Sequence, residues 1–217
     1  MAEAQPVHTA RGGATEVELT RGQQVAARRA AESRATIPDI TLELLVDLGS
    51  ALARGLDPDD LLIAACARAL REHPRLNATY RDARVLCHER VNIAVAVATD
   101  DGVALPTLFD ADAHDLGAIA ARRAAIAAGA RAGSLEPPAF AGGTFTVHGP
   151  SLCAVDRVRV LVEPGQVAVL AAGAVRERPA PSAWCTLTVD RRALDAAQAG
   201  RFLARVGELL DQPALLS

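Results

Sequence analysis

Apolar residues recur along this chain in two different periods. From 39 to 48 they fall at every second position, with Ile40, Leu42, Leu44 and Val46 on one side, which predicts a strand buried on one face. From 196 to 211 the spacing changes to the helical period, and Phe202, Val206, Leu209 and Leu210 share one face. The same reading predicts a helix from Thr20, a good N-cap, to Arg34, with Val25 and Ala26 at core spacing. Ile37-Pro38 ends it, because the residue before a proline is pushed out of the α region. A second helix opens at Leu56-Asp57-Pro58-Asp59-Asp60, whose carboxylates suit the first turn, and stops at Pro74. A third spans 115–134 and is broken by Pro137-Pro138. Further strands are expected at 85–89, 91–99, 103–109, 144–148, 158–162, 167–174 and 184–189, with Asp101-Gly102 as a turn. Strands outnumber helices and mix with them without strict βαβ alternation. That pattern predicts an α+β layered domain, one mixed sheet with helices packed on it. Residues 1–17 are polar and small and read as a disordered tail, leaving 18–217 as the domain.

Composition narrows the function more than the fold. Half of the 217 residues are hydrophobic but only 3% are aromatic, so the core must be built from Ala, Val, Leu and Ile. Every basic side chain is Arg, the net charge is -3 and no basic patch stands out, so a nucleic-acid partner is not expected. No stretch is long and apolar enough to span a membrane, and 119–132 is interrupted by Arg122, Arg123, Gly129 and Arg131. Cys66, Cys87, Cys153 and Cys185 are far apart, form no CxxC pair and fit no metal spacing with the histidines. They read as reduced thiols of a cytoplasmic protein, with no metal site expected. Cys87 and His88 are adjacent on a strand pattern and so point to opposite faces, which argues against a thiol–imidazole pair. Gly142-Gly143 is not a phosphate loop, since no Lys or helix start follows.

One stretch carries the chemistry: Cys185-Thr186-Leu187-Thr188-Val189-Asp190-Arg191-Arg192-Ala193-Leu194-Asp195-Ala196, a strand running through a polar turn into a helix. Four other segments precede it in order. They are Leu76-Asn77-Ala78-Thr79-Tyr80, the run from Val91 to Pro106, Gly142-Gly143-Thr144-Phe145-Thr146-Val147, and the run from Gln166 to Ala174. Together with the opening Leu19-Thr20-Arg21 and Val25-Ala26-Ala27-Arg28-Arg29, these resemble the acyltransferase core of 2-oxo acid dehydrogenase complexes. The resemblance covers about residues 18–217. It implies the chloramphenicol-acetyltransferase-like layered fold and a homotrimer with active sites at the subunit boundaries. It also implies a coenzyme A thioester as co-substrate and no bound cofactor. The family's lipoyl and peripheral-subunit-binding domains are not recognisable in these 217 residues, so the expectation is a stand-alone acyltransferase or a partner of other proteins.

In the family the final motif reads Asp-His-Arg, two variable residues, then Asp-Gly, and its His is the general base. Here Arg191 stands in the His position, between Asp190 and Arg192, with Asp195 in the second Asp position. A guanidinium stays protonated and cannot be a base. Asp190 and Arg192 are expected to hold the loop together; Asp195 is either a helix cap or a site carboxylate. The family's oxyanion serine opens a Ser-Asn-Leu-Gly segment, and here that segment reads His148-Gly149-Pro150-Ser151. The reciprocal change suggests a swap: His148 of one subunit as base, Arg191 of the next stabilising the oxyanion. The expected activity is acyl transfer to a hydroxyl or thiol of a small molecule or a carrier-bound intermediate, with bacterial secondary metabolism such as acetylation of a tetronate as one setting. The alternative is an inactive homologue that keeps the trimeric shell as a scaffold or ligand-binding protein.

Overall fold

A computed structural model describes residues 6–10, 12–177 and 179–216. Strands β1 (Pro6–Thr9) and β2 (Gly12–Thr15) pair as an antiparallel hairpin. The unstructured reading of 1–17 is corrected for this part: the backbone has regular pairing there, while residues 1–5 lie outside the described region. Helix α1 (Arg21–Thr36) follows with the expected cap. Gln23 N–H donates to Thr20 Oγ1 at 3.2 Å, and the Gln23 side chain returns the bond to Thr20 N–H at 3.0 Å. Val25 was expected in the core, yet it is 39% exposed, and Ser33 is the buried residue of this helix.

Next come β3 (Asp39–Asp47), the short α2 (Gly49–Ala53) and α3 (Pro58–Glu72). Helix α3 is buried on nearly every side from Asp60 to Leu70. An all-round apolar helix needs a central place, and the rest of the chain supplies one. The small hairpin β4 (Ala78–Arg81) and β5 (Arg84–Cys87) leads to β6 (Ile93–Val95). The run expected as one strand over 91–99 divides here: β6 joins the main sheet, while β7 (Val97–Thr99) pairs with β8 (Gly102–Ala104) in a separate ribbon. The return strand divides in the same way at Leu105-Pro106, before β9 (Thr107–Leu108), because proline lacks the N–H a continuous ladder needs.

Helix α4 (Leu116–Arg131), capped by Asp115, precedes β10 (Phe145–His148) and β11 (Ala168–Ala172). The strand expected at 158–162 is absent. The alternation is real, since Val162 is 1% exposed, but this stretch pairs with no described strand, and Val162 C=O accepts from the Ser33 hydroxyl at 2.7 Å. Period-two burial reports one-sided packing, not pairing. The chain closes with β12 (Ser182–Asp190) and α5 (Ala196–Asp211).

The main sheet has the order β3-β12-β11-β10-β6-β9. β10 is parallel to both β11 and β6, and the other neighbours are antiparallel, so the sheet is mixed as expected. Helices α3 and α5 cover one face. There Phe145, Leu170 and Leu187 meet Phe202 and Val206, all fully buried, and the Phe145 and Phe202 rings lie 5.7 Å apart. The opposite face carries the alternate residues Thr146, Val169, Ala171, Thr186 and Thr188, all buried and mostly polar or small.

Candidate active site

The polar sheet face holds a concentration of unused hydrogen-bonding groups. The hydroxyls of Thr41, Thr107, Thr186 and Thr188 are buried without a partner among the described residues. Thr41 and Thr188 are register partners across β3 and β12. Beside them, Thr146 Oγ1 donates to Gln166 Oε1 at 2.8 Å, and Gln166 Nε2 donates to Gly143 C=O at 3.1 Å. Thr107, Gly143, Thr146 and Gln166 line a cavity of about 350 Å³ together with Arg29, Phe140, Gly142 and Glu163. Burial pushes the Glu163 carboxyl above its ordinary range, and Arg29 Nη1 at 3.7 Å draws it partly back.

His148 belongs to the same face. It lies two residues beyond Thr146 on β10, so its side chain projects on the cavity side, about 7 Å further along the strand. The imidazole is half-buried and has no hydrogen-bond partner among the described residues. Burial alone pushes its pKa down to about 4, so the ring is neutral at pH 7. A depressed histidine favours the native state most at pH above 6.5, where the unfolded chain holds no extra proton, and that contribution is lost as pH falls from 6.5 to about 4. The loss expected is about 2 kcal/mol after discounting the exposed part of the ring. Denaturant titrations at pH 7.5 and 4.5 check it: His148→Gln should lose clearly less stability across that interval than the parent.

Arg191 sits at the far end of the sheet. Its N–H extends the β12 ladder to Pro38 C=O at 2.9 Å, and its Nη1 donates to Leu194 C=O at 2.7 Å. The loop around it is tightly built. Asp190 is 1% exposed and accepts from Arg192 N–H at 2.9 Å and Arg192 Nη2 at 2.7 Å. Arg192 also lies over the Tyr80 ring at 4.5 Å, and Arg75 Nη2 donates to Ala193 C=O at 2.8 Å. Asp195 caps α5: its carboxylate accepts from Gln198 N–H at 2.7 Å, and Gln198 Oε1 accepts from Asp195 N–H at 3.1 Å. Asp195→Ala should therefore cost about 1 kcal/mol in chemical denaturation, as the loss of an N-cap does.

Within one chain, the structure does not bring His148 and Arg191 together. His148 is level with Ala171, which pairs with Thr186, and Arg191 lies beyond the end of β12 at Asp190. That separation is about 16 Å along the strands and about 10 Å across them.

Comparison with known proteins places this architecture. Residues 11–217 match the family model of the 2-oxoacid dehydrogenases acyltransferase (catalytic domain). The chain belongs to this acyltransferase family. Among its relatives is the dihydrolipoyllysine-residue acetyltransferase component of the pyruvate dehydrogenase complex of Zymomonas mobilis. It is 29% identical over 219 residues, 91% of this chain and 50% of that protein. Component 3 of the mitochondrial complex of Arabidopsis thaliana is 32% identical over 88% of this chain and 40% of its own length. The chain thus spans about half the length, or less, of these relatives. Among solved structures, the Azotobacter vinelandii dihydrolipoamide acetyltransferase superposes with a TM-score of 0.86 at 26% identity over 100% of this chain and 99% of that one. That structure addresses the roles of a serine, a histidine and an asparagine in the enzyme's catalytic mechanism. A chloramphenicol acetyltransferase, at TM-score 0.54 and 17% identity over 84% of this chain and 94% of that one, shares the fold.

The cysteines divide between core and surface. Cys66 and Cys185 are buried in the core with thiols pushed up by burial, whereas Cys87 is exposed. The His88 ring pairs with the Thr79 hydroxyl at 2.9 Å rather than with a thiol. No described helix is long and apolar enough to cross a membrane. Thr107, Glu163 and Gln166 were not picked out by the sequence reading. They come from separate segments with no shared spacing, and only the sheet gathers them.

Proposed function

We propose that this protein transfers an acyl group from a coenzyme A thioester to a thiol or hydroxyl, as a homotrimer, with His148 as the base. The observation that carries this reading is a half-buried imidazole, neutral at pH 7 and without a hydrogen-bond partner among the described residues, on the sheet face that also holds the polar cavity. His148 accepts the proton of the acceptor's thiol or hydroxyl as that atom attacks the thioester carbonyl. The tetrahedral oxyanion then collapses, the C–S bond to coenzyme A breaks, and the departing thiolate takes the proton back from the imidazolium. Arg191 of a neighbouring copy stabilises the oxyanion, since its own chain holds it too far away. The acceptor is a small molecule or a carrier-bound intermediate. A dithiol like the dihydrolipoyl group named for the relatives and an alcohol of secondary metabolism, such as a tetronate, are the two classes to compare.

A second reading, a non-catalytic scaffold, draws on the far side of the sheet. Arg191 and Asp195 both spend hydrogen bonds on their own loop, which is how retired site residues are reused. Incubation with acetyl-CoA and dihydrolipoamide or candidate alcohols, with free thiol and acetylated product measured, separates the two. Acceptor-dependent turnover that disappears in His148→Ala supports the transferase. Intact acetyl-CoA and no displacement of bound acetyl-CoA by coenzyme A support the scaffold.

A further inference from the structure

We infer that Asp59, in the first turn of α3, positions His148 by gripping the turn that follows it; this rests on the reading of His148 as the base. Gly149 is the residue after His148, and its Cα is covered by the Asp59 side chain. A Cβ built on Gly149 would lie 1.7 Å from Asp59 Oδ1 and 2.7 Å from its Cγ, so no other residue fits while Asp59 stays in place. Pro150 then takes the second position of a β-turn closed by Leu152 N–H to Gly149 C=O at 3.1 Å, where the fixed proline φ is preorganised. Burial raises the Asp59 carboxyl above its ordinary range, and the nearby Ser151 of this turn draws it partly back.

The grip comes from a rigid element. Asp59 N–H donates to the Asp57 carboxylate at 2.8 Å, and the neighbouring Asp60, 6% exposed, is paired with Arg123 of α4. Asp57 already supplies the helix cap, so capping does not require the Asp59 side chain. The His148 ring, in contrast, has no hydrogen bond of its own among the described residues. Its direction depends on the backbone that carries it. The β10 ladder fixes that backbone on one side and the Asp59-held turn on the other.

The test follows the imidazole directly. In the full-length protein labelled with ¹⁵N-histidine, Asp59→Asn and Gly149→Ala should each shift the His148 titration midpoint upward from about 4 toward the ordinary histidine value, as the loosened turn admits water. The same variants should lower kcat for acyl transfer about tenfold while KM for acetyl-CoA stays within about twofold. Ser151→Ala, which leaves α3 untouched, should shift both readouts in the same direction by less, and stands in where a stronger variant fails to fold. An unchanged midpoint and unchanged kcat in folded Asp59→Asn or Ser151→Ala protein overturn the inference. Full turnover in His148→Ala removes the base assignment instead, and the titration arm still decides whether Asp59 orders the ring.

Discussion

His148→Ala is expected to lower acyl transfer by about 10²–10⁴-fold, the usual cost of losing a general base. The protein should remain folded, because the ring makes no hydrogen bond among the described residues and its neighbours Val147 and Phe145 carry the core contacts of β10. Initial rates with acetyl-CoA and the active acceptor, compared at equal protein concentrations, check it. The parent's rate should stay flat through neutral pH and fall only as pH approaches about 4, where the imidazole gains its proton. A limb near 6.5 would mean that the ring is solvated in the working assembly. Rates equal to the parent's in the alanine variant would end the assignment of His148 as the base.

Asp190→Ala is expected to lower stability by about 1–3 kcal/mol, the usual cost of removing a buried acceptor from its donors. The carboxylate is 1% exposed and holds Arg192 through its backbone N–H and both Nε and Nη2. Removing it leaves a partly buried guanidinium unpaired and frees the turn that launches α5. Chemical denaturation should show the loss as a lower midpoint with an unchanged slope. Arg192→Ala should cost at least as much, since it leaves the 1%-exposed Asp190 carboxylate without its cation and also loses the Tyr80 contact. A loss under about 1 kcal/mol for Asp190→Ala would show that the motif is dispensable to the fold. The two experiments separate the two ends of the sheet: one tests the imidazole at the end of β10, the other tests the frame around Arg191.

Much of the local structure was legible because its causes are local. Thr20, Asp115 and Asp195 announce helix starts through side chains that reach their own first turns, and Pro38 and Pro74 announce the stops. The buried face of α5 follows from a 3.6-residue period alone. The segment at 158–162 shows the limit of the same logic. Its alternating valines reflect one-sided burial, yet whether a strand stands alongside depends on residues distant in sequence. Val25 shows it again: its helical spacing predicts a core position, yet in the folded chain it is 39% exposed.

The sequence by itself determined the family, the α+β layered fold and the presence of Arg191 between Asp190 and Arg192. These depend on residue identity and short-range spacing, which any copy of the chain carries wherever it folds. Only the tertiary structure decided that His148 and Arg191 sit at opposite ends of one sheet, that Thr107, Glu163 and Gln166 share a cavity, and that the Asp59 carboxyl occupies the space a Gly149 side chain would need. Those are distances between segments far apart along the chain, set by strand order and helix packing, and no local pattern encodes them.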